Sequence, residues 1–217
     1  MANNHQRNIK FNSGDVFLEG VLHLPYGDKK CPGVVICHPH PRHGGDMNNN
    51  VVMALTNSIC DSGIAVLRFN FPGVGESEGV FDQSRGELEG AIDAVDYLAL
   101  QDRIQTSRVG IAGYSFGAWV ALEASVYSKA IQAIASISCP LRPYTSLGVG
   151  ELLQPKLLVC GEFDHDFPIE HFKFLSRRFI EPKQVEVKYG ADHFFVGHEA
   201  DLGQLGAKFF SHWLGDR

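Results

Sequence analysis

This chain of 217 residues has no basic cluster, no apolar run of membrane-spanning length and no paired cysteine motif. With 25 acidic against 19 basic side chains its formal charge is −6, so a nucleic-acid or anionic-membrane partner, held mainly by Lys and Arg, is not expected. No stretch approaches the ~20 apolar residues a spanning helix needs. The segment Met1 to Lys10 is polar and shows no signal-peptide core. Cys31, Cys37, Cys60, Cys139 and Cys160 are odd in number and scattered, which speaks against a disulfide framework and offers no CxxC for zinc or redox chemistry. They read as buried free thiols, and the chain as a cytoplasmic one. Internal repeats, low-complexity stretches and linkers are missing too, so residues 1–217 are expected to form a single domain. A homodimer remains compatible with all of this.

What is present is an ordinary globular composition, 44% apolar and 20% charged, in a chain long enough to bury a sizeable core without staples. Asn8 to Phe11 and Val16 to Leu24 alternate around Asn12, Ser13, Gly14 and Asp15 and predict an antiparallel hairpin at a sheet edge. Val34 to Cys37, Ile64 to Phe71, Val109 to Ala112, Ala133 to Ser138, Leu157 to Cys160 and Val185 to Val187 are short apolar runs, as in strands covered on both faces. Helical periodicity lies between them: Val51, Val52, Leu55 and Ile59; Leu88, Ile92, Val95 and Leu98, with Ser84 and Glu87 as a capping box. The all-apolar stretch Phe116 to Val126, then Ile169 to Phe179 and Leu202 to Leu214, supply further helices. A hairpin followed by repeated strand and helix is an α/β sheet protein.

Gly113, Tyr114, Ser115, Phe116 and Gly117 place a serine between two glycines straight after an apolar run. That is the pattern of a nucleophile elbow, where a strand turns sharply into a helix and glycine removes clashes beside a strained serine. Serine needs a base to take its proton and an acid to hold that base in the right tautomer. In open parallel sheets such groups gather at the carboxyl ends of strands. After Leu157 to Cys160 come Gly161, Glu162, Phe163 and Asp164, making Asp164 the acid, with Asp166 as a substitute. After Val185 to Val187 comes His193, the base. The other histidines have plainer explanations: His5, His23, His171 and His212 in edge, helical or terminal segments, His198 at the approach to the last helix, His165 at the border of the site.

Attack on a carbonyl also requires donors for the oxyanion. The N–H of Phe116 is one. The loop His38, Pro39, His40, Pro41, Arg42, His43, Gly44, Gly45 should supply the other, and since proline has no N–H, His40 is the first candidate and Arg42 the second. Three histidines in this loop raise zinc as an alternative, but no Glu or Cys completes a ligand spacing, so neither metal nor cofactor is expected. Gly73 and Gly75 faintly suggest a dinucleotide loop, yet position 78 is Glu where a third glycine belongs. Leu141, Tyr144, Leu147, Phe167 and Phe194 are candidates for the apolar wall of a substrate site.

Taken together, CHPHP with GGDMNN, RFNFPGVGESEG, GYSFG, GEFD and GADHFF resembles the α/β-hydrolase superfamily over nearly the whole chain. More narrowly it resembles small lidless bacterial serine hydrolases related to dienelactone hydrolases. The resemblance implies a three-layer α/β/α sandwich with a mostly parallel sheet of about eight strands, the N-terminal hairpin and no cap domain. It implies a catalytic triad of Ser115, Asp164 and His193, with backbone donors at Phe116 and the His40 loop. Position 115 is Ser where dienelactone hydrolases proper carry Cys, which departs from that substrate. The expected activity is cleavage of a small carboxylic ester or related acyl compound through an acyl-enzyme; a thioesterase or small peptidase with the same triad, and a non-catalytic binding protein, are the alternatives.

Overall fold

A computed structural model describes residues 5–83, 85–140 and 148–215. The elements are β1 (His5–Ser13), β2 (Val16–Leu24), β3 (Cys31–Cys37), α1 (Asn50–Asp61), β4 (Ala65–Phe69), α2 (Arg85–Ala99), β5 (Ile104–Tyr114), α3 (Phe116–Tyr127), β6 (Ile131–Ile137), β7 (Lys156–Gly161), α4 (Ile169–Ser176), β8 (Lys183–Lys188) and α5 (Glu199–Leu214). The hairpin closes through the two-residue turn Gly14 and Asp15, with Gly14 at φ 55°. Eight strands form one sheet in the order β1-β2-β4-β3-β5-β6-β7-β8. β1 and β2 pair antiparallel, as do β2 and β4, and every later pairing is parallel.

The order of the strands dictates which face each helix covers, because a parallel crossover is right-handed. From β3 the chain steps to β4 through α1, then reverses, crossing back over β3 to β5 through α2. Opposite steps put their helices on opposite faces. Val34 and Ile36 of β3 accordingly pack with α1 and α5 (Val51, Leu55, Ile59, Leu202, Phe210). Val35 and Cys37 pack with α2 and α3 (Ala94, Leu98, Ala118, Leu122), and Phe172 of α4 joins that side. The reversal leaves a crevice at the carboxyl ends of β3 and β5, where Cys37 lies opposite Gly113, and ligands of open α/β sheets bind at such a switch point. Only residues 138–155 join β6 to β7, and no cap domain is inserted there.

Some expectations shift. β8 is an edge strand with all six of its positions exposed or partly so, not one buried on both faces; nothing in its apolar Val185 and Val187 distinguishes an edge from a centre. α4 stops at Ser176, short of Phe179. His198 stands at the N-cap of α5 without a capping bond from its ring. Ser84 lies outside the described residues. Among those described, no helix is long and apolar enough to cross a membrane.

Candidate active site

Ser115 sits between β5 and α3 with φ 52° and ψ −118°, a conformation costly for any residue with a Cβ. Its surroundings explain both flanking glycines. A Cβ on Gly113 would lie 2.1 Å from the carbonyl oxygen of Gly117, and one on Gly117 would lie 2.2 Å from that of Cys37. The first turn of α3 is therefore pressed against both its own strand and the loop that follows β3. Phe116 opens α3, so its N–H is among the first four of the helix, which have no intrahelical acceptor.

His193 follows β8 and reaches back across the sheet. Its Nε2 is 3.1 Å from Ser115 Oγ, and its Nδ1 is 2.9 and 3.0 Å from the two carboxylate oxygens of Asp164. Asp164 is buried, 2% exposed, and also accepts the N–H of Phe167 at 2.9 Å. Burial by itself would raise its pKa, but the hydrogen bond and charge of His193, with the Phe167 N–H, hold the carboxyl below its ordinary value. Burial likewise works against a charged His193, and here too the carboxylates win: Asp164 foremost, then Asp166 and Asp192, raise the imidazole above its usual pKa. Asp166 approaches the other ring nitrogen, 3.8 Å from Nε2, so it is not placed to orient the ring as Asp164 does.

His193 is held by its neighbours. Asp192 Oδ1 accepts the N–H groups of Phe194 and Phe195 at 2.9 and 3.1 Å, turning the chain directly after His193. The hydroxyl of Tyr114 donates to the His193 carbonyl oxygen at 2.7 Å, so the residue before Ser115 ties down His193.

In the loop after β3, residues Pro41–His43 coil into a short 3-10 turn. The N–H of Arg42 is thereby drawn to His40 Nδ1 at 3.2 Å, and the guanidinium lies 5.8 Å over the Phe81 ring. The Arg42 N–H is thus engaged within its own loop, which speaks against it as the second oxyanion donor. The His40 ring stacks on His43 and meets Phe116 edge-on at 5.3 Å; burial, aided by His43 and Arg42, lowers its pKa below the usual histidine value. Among the described residues no group of His, Cys, Asp or Glu is arranged to hold a metal.

His38, considered from sequence only as a metal ligand, turns out to brace this loop. It is fully buried, accepts the Phe71 N–H at Nε2 (3.1 Å) and faces its neighbour's Pro39 carbonyl with Nδ1 (2.7 Å). Nδ1 must then carry the proton, and burial pushes the pKa down to about 4. His23, taken as an edge residue, is also buried and accepts a bond from Arg68 Nε at 3.0 Å. Arg68 in turn holds Met47 and Asn48, just beyond the loop.

These elements enclose a cleft of about 530 Å³ lined by, among others, His40, Ser115, Phe116, Trp119, Asp166, His193 and Phe194. Phe194, 61% exposed, borders it. Phe167 does not: its side chain is fully buried and packs on Phe172 in the core, and only its N–H serves the site. Leu141, Tyr144 and Leu147 lie outside the described residues. Trp119, one helical turn beyond the elbow, was not anticipated, although its spacing from Ser115 could have suggested it.

The family model for X-Pro dipeptidyl-peptidase (S15 family) matches residues 14–162. An uncharacterized protein of Rickettsia prowazekii is 32% identical over 195 residues, 86% of this chain and 81% of its own. Among solved structures, an alpha-beta serine hydrolase homologue from Coxiella burnetii has a TM-score of 0.82 and 32% identity, covering 96% of this chain and 97% of that one. A serine hydrolase without lid from Xanthomonas campestris has a TM-score of 0.85 and 25% identity, covering 98% and 97%. The family match over most of the chain, together with these structural likenesses, places it: the chain belongs to the S15 family and is a serine hydrolase of the α/β-hydrolase fold.

Proposed function

We propose that Ser115, His193 and Asp164 act as a catalytic triad that cleaves a small carboxylic ester through an acyl-enzyme. One observation carries the reading: a single imidazole bridges Ser115 Oγ on one nitrogen and a buried carboxylate on the other, inside an open cleft. His193 Nε2 accepts the serine proton as Oγ attacks the carbonyl carbon, while Nδ1–H stays on Asp164, which stabilises the imidazolium without taking the proton. The N–H groups of Phe116 and His40 receive the oxyanion of the tetrahedral intermediate. His193 then gives its proton to the leaving alcohol, and water repeats the sequence to release the acid. No step calls for a cofactor.

A second reading, cleavage of an amide, is favoured by the name of the family the chain belongs to. The same triad serves it, and the leaving amine would take its proton from Nε2.

Labelling with a fluorophosphonate, mapping the modified residue and measuring turnover of matched short esters and amides tests both. The expected result is modification of Ser115 and faster ester turnover, with Ser115→Ala losing label and kcat on the order of 10⁶. Wild-type turnover in that variant, or label on another residue, would sink the triad; faster amide turnover would move the assignment to the second reading.

A further inference from the structure

We propose that Asp166 makes the leaving-group side of the cleft selective for positive charge, so that esters of cationic alcohols are preferred to neutral and anionic ones of the same shape. The proposal rests on the triad reading above. In that chemistry the leaving oxygen must come within about 3 Å of the nitrogen that protonates it, and that nitrogen is His193 Nε2. Asp166 Oδ2 lies 3.8 Å from the same atom. A substituent a few bonds beyond the leaving oxygen therefore passes alongside this carboxylate, whereas the acyl chain departs from the carbonyl carbon in another direction.

The rest of the cleft leaves that charge unanswered. Asp166 lines the cleft with its side chain 73% exposed, and among the described residues it forms no ion pair with Lys or Arg. The described lining contains no Lys or Arg at all; its histidines on the oxyanion side are His40, whose pKa is lowered, and His43, which stacks on it. The two neighbouring carboxylates are otherwise engaged: Asp164 on His193 Nδ1 and the Phe167 N–H, Asp192 on the N–H groups of Phe194 and Phe195. Asp166 is the one left facing the space a leaving group would fill. For a carboxylate this exposed, the expected discrimination is about two- to fivefold per unit charge, shrinking as salt shortens the screening length.

Three butanoate esters differing only in head-group charge provide the test: those of choline, 3,3-dimethylbutanol and 2-hydroxyethanesulfonate. Each places a tetrahedral head at the same distance from the ester oxygen, and none of the heads titrates near neutral pH. At low salt kcat/KM should fall in the order choline, dimethylbutyl, sulfonate, and in Asp166→Asn the ratios should converge towards one. A wild-type enzyme indifferent to the head group, or an order that persists in Asp166→Asn, would overturn the proposal. Should none of the esters turn over, protection of Ser115 from fluorophosphonate by choline relative to 3,3-dimethylbutanol reads the same preference without ester chemistry. Preferential protection by choline, lost in Asp166→Asn, would then uphold the charge filter while the ester reading fails; failure of Ser115 to label at all would overturn both.

Discussion

Around Ser115 the fit is made by backbone against backbone. The Gly117 position sits so close to the carbonyl oxygens of Cys37 and His38 that a Cβ would meet them at 2.2 and 2.5 Å, and the loop they begin is braced from below by the buried ring of His38. Around His193 the fit is made instead by carboxylates receiving N–H groups: Asp164 from Phe167, Asp192 from Phe194 and Phe195, Glu162 from Gly190. On the proposed mechanism the first half presents preorganised donors to a developing oxyanion and gains from rigidity. The second has to gather three residues from loops after β5, β7 and β8 and tune a titrating ring, for which placed negative charge is the effective tool. The two halves should therefore fail differently, the first by steric rupture and the second by altered proton chemistry.

Among variants that contrast the two halves, the largest effect is expected from changing that proton chemistry without touching the scaffold. Asp164→Asn keeps an oxygen for the Phe167 N–H, so the turn survives, but its amide no longer favours Nδ1–H on His193. Turnover should drop on the order of 10⁴, as in the corresponding triad substitution of serine proteases, with little change in thermal unfolding. A variant that unfolds early would mean the acid is also a structural pillar, and the contrast between the halves would be lost.

Gly117→Ala attacks the other half. The added methyl cannot be absorbed by a rotamer change because its neighbours are main-chain oxygens, so either α3 or the His38–Gly45 loop must move. Overpacking of this kind costs about 1–3 kcal/mol, and displacement of the oxyanion donors by about 1 Å would lower kcat on the order of 10²-fold. Calorimetry together with steady-state kinetics should show both losses at once, in contrast to Asp164→Asn. A variant with normal kcat would show that the close packing is not what positions the donors.

How much of this could be read from the sequence follows the same division. Ser115, Asp164 and His193 were visible because each stands in a short motif at the end of an apolar run, and local constraints such as the two glycines of the elbow are written into adjacent residues. Contacts created by strand register were not. His23 meets Arg68 because β2 pairs antiparallel with β4, with His23 opposite Val66, and His38 meets Phe71 because β3 and β4 end side by side. Arg42 and Phe167 failed for a smaller-scale reason: composition suggested a donor and an apolar wall, but a 3-10 turn spent the first and the acid loop turned the second inward. The edge position of β8 depends on topology, which a three-residue apolar run does not encode.

Asp192 offers the finest test of the carboxylate half, because its two roles can be separated. It caps the turn after the base, and its charge adds to those that raise His193. Since the base must be neutral to accept the serine proton, kcat/KM should climb with pH through a value above the ordinary histidine pKa of 6.5. Asparagine keeps the capping oxygen but not the charge. In Asp192→Asn the acid limb should therefore shift to lower pH while the plateau stays within about twofold, the scale of an exposed charge. Alanine removes both. Asp192→Ala should show the same shift plus a fall in Tm of roughly 2–4 °C for each kcal/mol of capping lost. If the two variants give identical melting curves, the cap contributes nothing to the fold; if neither moves the acid limb, His193 is tuned by Asp164 and Asp166 without help from Asp192.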